Sequence, residues 1–188
     1  AVVAQTAATA AQSAANAYSE RQPTLDVREF GATLSPLQTP AQRTICFRNA
    51  ISAGKARGQA VFVPPGRWVG NARLNAEDRM TLFGLGMYLS VIAFSDYAAE
   101  DENMLQAAAF DMSVGNVKVY DIGFDGNRVG RVASGVVKDV GSQRPGSSIW
   151  AAMSAHDCLF QRVRMVGAVL HLIDDCAGGV VNHETGRR

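Results

Sequence analysis

The residues best equipped for chemistry gather in the last third of the chain: Asp157, Arg164, Asp174 and Asp175, with His156 and His171 among them. Carboxylates brought to one surface beside a guanidinium can take and return protons and steady negative charge that develops in a reaction. The same residues have a plainer reading as turn residues. Aspartate is common where strands corner, because its side chain hydrogen-bonds the local backbone. Asp121 and Asp125 fall under that reading most directly, Asp125 through the turn sequence Asp125-Gly126-Asn127.

Other chemistries find little support. His156, His171 and His183 have no metal-ligand spacing, and no metal site is expected. The stretch from His183 to Arg187 lacks the second histidine of a zinc protease helix, and Leu89 stands where a dinucleotide-binding loop begun at Gly84-Leu85-Gly86 would need its third glycine. Trp68, Trp150, Tyr88 and Tyr97 offer ring faces for stacking on sugars, or cover for a core.

The elements that must position these residues are mostly short strands. From residue 60 onward, β-type runs closed by Gly, Asn, Asp or Pro follow one another: Val61–Val63, Arg67–Val69, Met80–Phe83, Val91–Phe94, Val117–Tyr120, Ile122–Phe124, Ile149–Met153, Leu159–Met165 and Val169–Ile173. Asp125-Gly126 is the one Asn-Gly or Asp-Gly pair, too few for a meander of hairpins. Cys158 and Cys176 both follow an aspartate, 18 residues apart, as equivalent positions on successive turns of a solenoid would.

Upstream, Leu25–Phe30 reads as a short strand ended by Gly31. Thr39, Pro40 and Gln42 then make a helix start, with Thr as N-cap, Pro at the first helical position and Gln closing a capping box. The helix is expected over Pro40 to Ala53, burying Phe47, Ala50 and Ile51 and ended by Gly54 or Gly58. Residues 1–20 differ from everything after them: alanine dominates, and Ala1, Ala4, Ala8, Ala11, Ala15 and Tyr18 recur at spacings of three and four, an a/d seam of small residues. Such a stripe buries little area and needs copies of itself or another body to pack on; the alternative is a loosely helical or disordered tail.

The bulk numbers set outer bounds. The chain has 188 residues, 47% of them hydrophobic, enough for a core. With 18 basic and 17 acidic residues its net charge is +1, so no broad field draws it to nucleic acid or an anionic membrane. No apolar run approaches the ~20 residues needed to cross a bilayer, and no membrane insertion is expected. Cys46, Cys158 and Cys176 are too few and scattered for a disulfide framework and read as buried thiols made in a reducing cytoplasm. With no initial methionine and no closing element, the chain is expected to be part of something longer.

Taken in order, Phe30-Gly31-Ala32, the helix after Thr39, Val61 to Trp68 with its Pro64-Pro65-Gly66, and Leu82-Phe83-Gly84-Leu85-Gly86 resemble the pectate-lyase-like superfamily, in particular the N-terminal cap and first turns of its phage tailspike and polysaccharide-degrading members. Residues 117–127 resemble a coil strand with its turn, and residues 155–176 two consecutive strands of a right-handed parallel β-helix. The resemblance has one departure: members often carry an Asp-Asp pair where this chain has Gln42-Arg43, so any role of that pair is absent.

The resemblance implies a mainly β fold, a right-handed parallel β-helix with a capping helix, preceded by the Ala-rich stem. The expected divisions are a stem over residues 1–22, cap and first coils over 23–95, and further β-helix coils, expected to be truncated, over 96–188. It implies a homotrimeric phage tailspike or tail-fibre component, made in the host cytoplasm and placed in the virion tail, with tail or baseplate proteins and a host surface polysaccharide as partners. Its alternatives are a polysaccharide lyase or glycoside hydrolase, and a carbohydrate-binding β-helix without catalysis. A hydrolase needs two carboxyls roughly 5 to 9.5 Å apart, a lyase a base and a cation. Asp157, Asp174, Asp175 and Arg164 are the candidates, and no cofactor is implied beyond calcium in the case of a lyase. The last turns, without a cap of their own, are expected to fray unless covered.

Overall fold

Asp26 decides how the chain enters its fold. Its carboxylate accepts the Arg28 amide at 2.8 Å, and Glu29 accepts the Asp26 amide at 3.3 Å. This reciprocal cap bends the chain, so the expected strand Leu25–Phe30 is instead a strand β1 (Thr24–Asp26) and one 3-10 turn (Val27–Phe30). The computed structural model describes residues 24–99, 104–107, 113–137, 150–152, 154–167, 173–175 and 182–184. The Ala-rich seam, the linker before Thr24, His171 and Cys176 lie outside them.

Helix α1 spans Pro40–Arg57, one turn beyond the expected end, because Gly58 and not Gly54 takes the left-handed conformation that stops it. The capping box is formed: Gln42 donates its amide to Thr39 Oγ1 at 3.2 Å and accepts the Thr39 amide at 2.9 Å. Phe47, Ala50 and Ile51 are buried, as are Arg43 and Thr44.

Sixteen strands are seen among the described residues, and all their pairings are parallel. Sheet A takes β1, β2 (Ala60–Phe62), β5 (Thr81–Phe83), β9 (Lys118–Tyr120), β13 (Leu159–Gln161) and β16 (Asn182–Glu184). Sheet B takes β3 (Gly66–Gly70), β6 (Ser90–Phe94), β10 (Gly123–Asp125) and β14 (Arg164–Val166). Sheet C takes β4 (Leu74–Ala76), β7 (Leu105–Ala107), β11 (Trp150–Ala152) and β15 (Ile173–Asp175), and a short sheet D pairs β8 (Ser113–Gly115) with β12 (Ser154–His156). The chain thus visits the sheets in rotation and lays each new strand beside its predecessor.

The core is made of matching rows. Leu25, Val61, Leu82, Val119 and Phe160 stand side by side across sheet A, and Trp68, Ile92, Phe124 and Met165 across sheet B. All but Met165 are buried, and Met165 packs against the same cluster. At ~25 cal/mol per Å² of apolar surface removed from water, these rows are the main stabilising term.

The stacked strands have no fixed sequence period. Val61 stands beside Leu82, Leu82 beside Val119, Val119 beside Phe160 and Phe160 beside His183, steps of 21, 37, 41 and 23 residues. The 18-residue equivalence of Cys158 and Cys176 is therefore overturned, since Leu159, next to Cys158, pairs 23 residues on with Asn182. Cys158 is buried, and Cys46 is only half-buried, unlike the buried thiol expected.

Single left-handed residues make the corners. Gly58, Arg79, Asn116 and Asp157 each stand two residues before a strand of sheet A, with φ of 64°, 61°, 57° and 55°. Asp121 and Arg162 follow sheet A strands with φ of 55° and 51°. They divide Val117–Phe124 and Leu159–Met165 into two strands each, where the second was expected as one. The proline corner works differently: Val63 still donates to Phe83 O at 2.8 Å, Pro64 O accepts the Trp68 indole N–H at 2.8 Å, and Gly66, at φ 140°, opens β3. A short helix α2 (Arg128–Ala133), not expected from the sequence, leaves sheet B after Asn127.

Candidate functional site

Asp157 is a corner residue. Its left-handed backbone repeats that of Gly58, Arg79 and Asn116, and this column is tied together by the Arg79 amide on Gly115 O at 2.9 Å and the Asn116 amide on His156 O at 3.0 Å. The Asp157 carboxylate is well exposed and meets His156 Nδ1 at 3.3 Å. The imidazole lies against Gly115, where a Cβ would come within 2.0 Å of the ring. Asp78 accepts the Gly115 amide at 2.8 Å. The turn chemistry of these polar groups accounts for their hydrogen bonds.

Arg164 lies elsewhere, on the outer side of sheet B. One register row runs Arg67, Val91, Gly123, Arg164. Arg67 donates to Asp125 at 2.6 Å. The guanidinium of Arg164 sits 5.3 Å from the ring centroid of Tyr88, and Tyr88 is 71% exposed. Gly123 positions that ring indirectly: a Cβ there would meet Met87 O at 2.4 Å, so the bare glycine lets the segment carrying Tyr88 cross the sheet closely. An exposed ring backed by a guanidinium can stack on the apolar face of a sugar while the fork of N–H groups meets hydroxyls or a carboxylate.

Asp174 and Asp175 are described by strand position alone, in β15 beside Ala151 and Ala152 of sheet C. The four candidates therefore fall in three places: the corner before sheet A, sheet B, and sheet C. Of the other aromatic candidates, Trp68 is core, 2% exposed and edge-on to Phe47, whereas Tyr97 is exposed.

Two features escaped the sequence. Phe62, Phe83 and Tyr120, the last residues of successive sheet A strands, stack outward in a ladder with centroids 5.3 and 5.4 Å apart. Phe83, in the middle, is buried between the other two, which are half-buried. The second is buried Arg43, which donates to the carbonyls of Thr33 at 2.8 Å, Val69 at 2.6 Å, Ser35 at 3.3 Å and Gln38 at 3.1 Å. Burial pushes its guanidinium below the ordinary value. At the Gln42-Arg43 pair, one residue caps α1 and the other ties α1 to the loop before it and to β3. The only signals in sequence were the residue types; the sheet register was needed to bring the first together and the loop path the second.

Among the described residues, no three His, Cys, Asp or Glu side chains gather as a metal site would require, and no helix is long and apolar enough to cross a membrane. An apolar crevice under α1, lined by Phe47, Trp68, Leu74, Ile92, Phe94 and Met104, belongs to the core.

The pre-mature gene product 12 of bacteriophage phi29 superposes on 79% of the chain with a TM-score of 0.65 at 22% identity. The A-module of mannuronan C-5 epimerase AlgE6 from Azotobacter vinelandii covers 84% with a TM-score of 0.62 at 21% identity, and that of AlgE4 does so at 22%. The fold resembles that of a parallel β-helix. These likenesses show the fold alone. The chain spans 18% of gene product 12 and 41% of each epimerase module. No family model matches the chain, and no curated protein matches it.

Proposed function

We propose that this chain is the capped beginning of a right-handed parallel β-helix in a phage tailspike or tail fibre, joined to the virion tail by the Ala-rich stem. The observation that carries the reading is the arrangement at one end of the stack. There β1 is the terminal strand of sheet A, α1 packs on it and covers the core, and the chain arrives at Thr24 from a segment with an a/d seam of small residues. The likeness to a bacteriophage gene product supports it. The stem assembles the protein as a homotrimer, and the outward face of sheet B, with Tyr88 and Arg164, meets a host surface polysaccharide.

The test is the absolute mass in solution, by light scattering, of the chain and of a version starting at Gln22. A trimer that becomes a monomer without the stem supports the reading. A monomer in both forms removes the stem from it.

A second reading, a polysaccharide-acting enzyme, is favoured by the likeness to the two epimerase modules over 84% of the chain. Under it Asp157, Asp174, Asp175 and Arg164 carry the chemistry, with calcium entering for a lyase. New reducing or unsaturated ends during incubation with polysaccharide, lost in Asp174→Asn or Asp175→Asn, would favour it. Binding without new ends leaves a carbohydrate-binding module.

A further inference from the structure

Three of the five large aliphatic side chains exposed among the described residues lie on the cap, the others being Leu89 and Val129. Leu37 is 90% exposed, Ile45 55% and Leu34 49%. Leu37 stands two residues before the N-cap Thr39, and Ala41 and Ile45 lie one turn apart on the outer face of α1, across the helix from buried Phe47 and Ala50. Aliphatic side chains left in water gather no stabilisation, and an apolar group on the outside of a capping element marks a contact surface.

We propose that Leu37 and Ile45 are the seat on which residues 1–23 of this chain pack. Three observations commit the seat to that segment. The chain enters the fold at Thr24 in β1, which packs directly on α1, so the segment arrives at the end where the seat lies. Its first 19 residues carry no charged side chain, which suits an uncharged apolar seat. As a helix its 23 residues would reach about 35 Å, against about 27 Å for the 18 residues of α1. The stripe Ala4, Ala8, Ala11 and Ala15 lacks bulk, and leucine and isoleucine side chains supply the bulk that small residues admit at close approach. This packing uses the same stripe as association of the segment with copies of itself, and is an alternative to it.

The test places the photoreactive residue p-benzoylphenylalanine at Leu37, and in a second variant at Ile45, in the full chain. Both positions are exposed, so neither replacement disturbs the core. After irradiation and trypsin digestion, both variants are expected to capture peptides from residues 1–21. Capture confined to peptides from residue 22 onward, as a second copy's cap would give, or no capture at either position, overturns the proposal. Light scattering on the same samples keeps the two ideas apart. A monomer that captures residues 1–21 upholds the seat and ends the trimer, and a trimer without capture does the reverse.

Discussion

Asp121 and Arg162 occupy the same corner on successive passages of the chain, and the guanidinium of Arg162 grips the carboxylate through Nε at 2.5 Å and Nη2 at 2.7 Å. Both residues pay for the corner with a left-handed backbone that a side chain disfavours. Arg162→Ala removes the ion pair and keeps the strained backbone, whereas Arg162→Gly removes the pair and relieves it. An exposed pair contributes about 0.2–1 kcal/mol. Arg162→Gly is therefore expected to be the more stable of the two in urea denaturation. The reverse order would mean that the corner does not strain its residue.

Arg43 offers a larger effect. Arg43→Leu leaves four carbonyls around α1 without their donor and is expected to cost about 3 kcal/mol. Arg43→Lys, with donors at one point only, should recover a minor part. Equal midpoints for wild type and Arg43→Leu in thermal denaturation would show that water replaces the guanidinium freely.

The face of sheet B can be probed from below. Gly123→Ala pushes on Met87 O and should shift Tyr88 without touching any exposed group. If polysaccharide is held there, Tyr88→Ala weakens binding about tenfold, and Gly123→Ala weakens it in the same direction. Affinity electrophoresis in polysaccharide gels reads both. Unchanged mobility in both variants would move the binding surface elsewhere.

Lys55 gives a pH signature. Its hydrogen bond to Glu77, at 2.6 Å, raises the ammonium above its ordinary 10.5. A raised folded value means that the contribution is complete below the unfolded value and is lost as pH climbs through the folded one. The pair is half in water, so its contribution is about 0.2–1 kcal/mol. Lys55→Gln should be slightly less stable than wild type at neutral pH, and the difference should vanish well above pH 10.5. Urea midpoints at the two pH values measure it.

What could be read in advance follows from where the information lies. The cap of α1 is written in Thr39, Pro40 and Gln42, adjacent residues with local hydrogen bonds, and it formed as read. The strand runs around Val61, Val91 and Leu159 were legible because several β-formers stand together. Strands β4, β7, β8, β12 and β16 were not, since none of these three-residue strands holds a cluster of β-formers. The corner at Asp121 was legible from its aspartate between two strand runs, whereas those at Arg79 and Arg162 were hidden because no turn-forming residue type marks them. The aromatic ladder and the pairing of Tyr88 with Arg164 depend on unequal steps between coils, which no single segment records.

The parallel pairing of β1 with β2 has a mechanical consequence. A pull on the chain upstream of Thr24 reaches the body through three register pairs, Thr24 with Ala60, Leu25 with Val61 and Asp26 with Phe62. Three pairs hold less than the five of β3 with β6, so β1 would give way before that longer contact. What resists is the anchor behind it, where Arg43 fastens the loop of Thr33 to Gln38 onto Val69. The cap is thereby a strain relief, protecting the stacked coils from force that arrives along their own backbone.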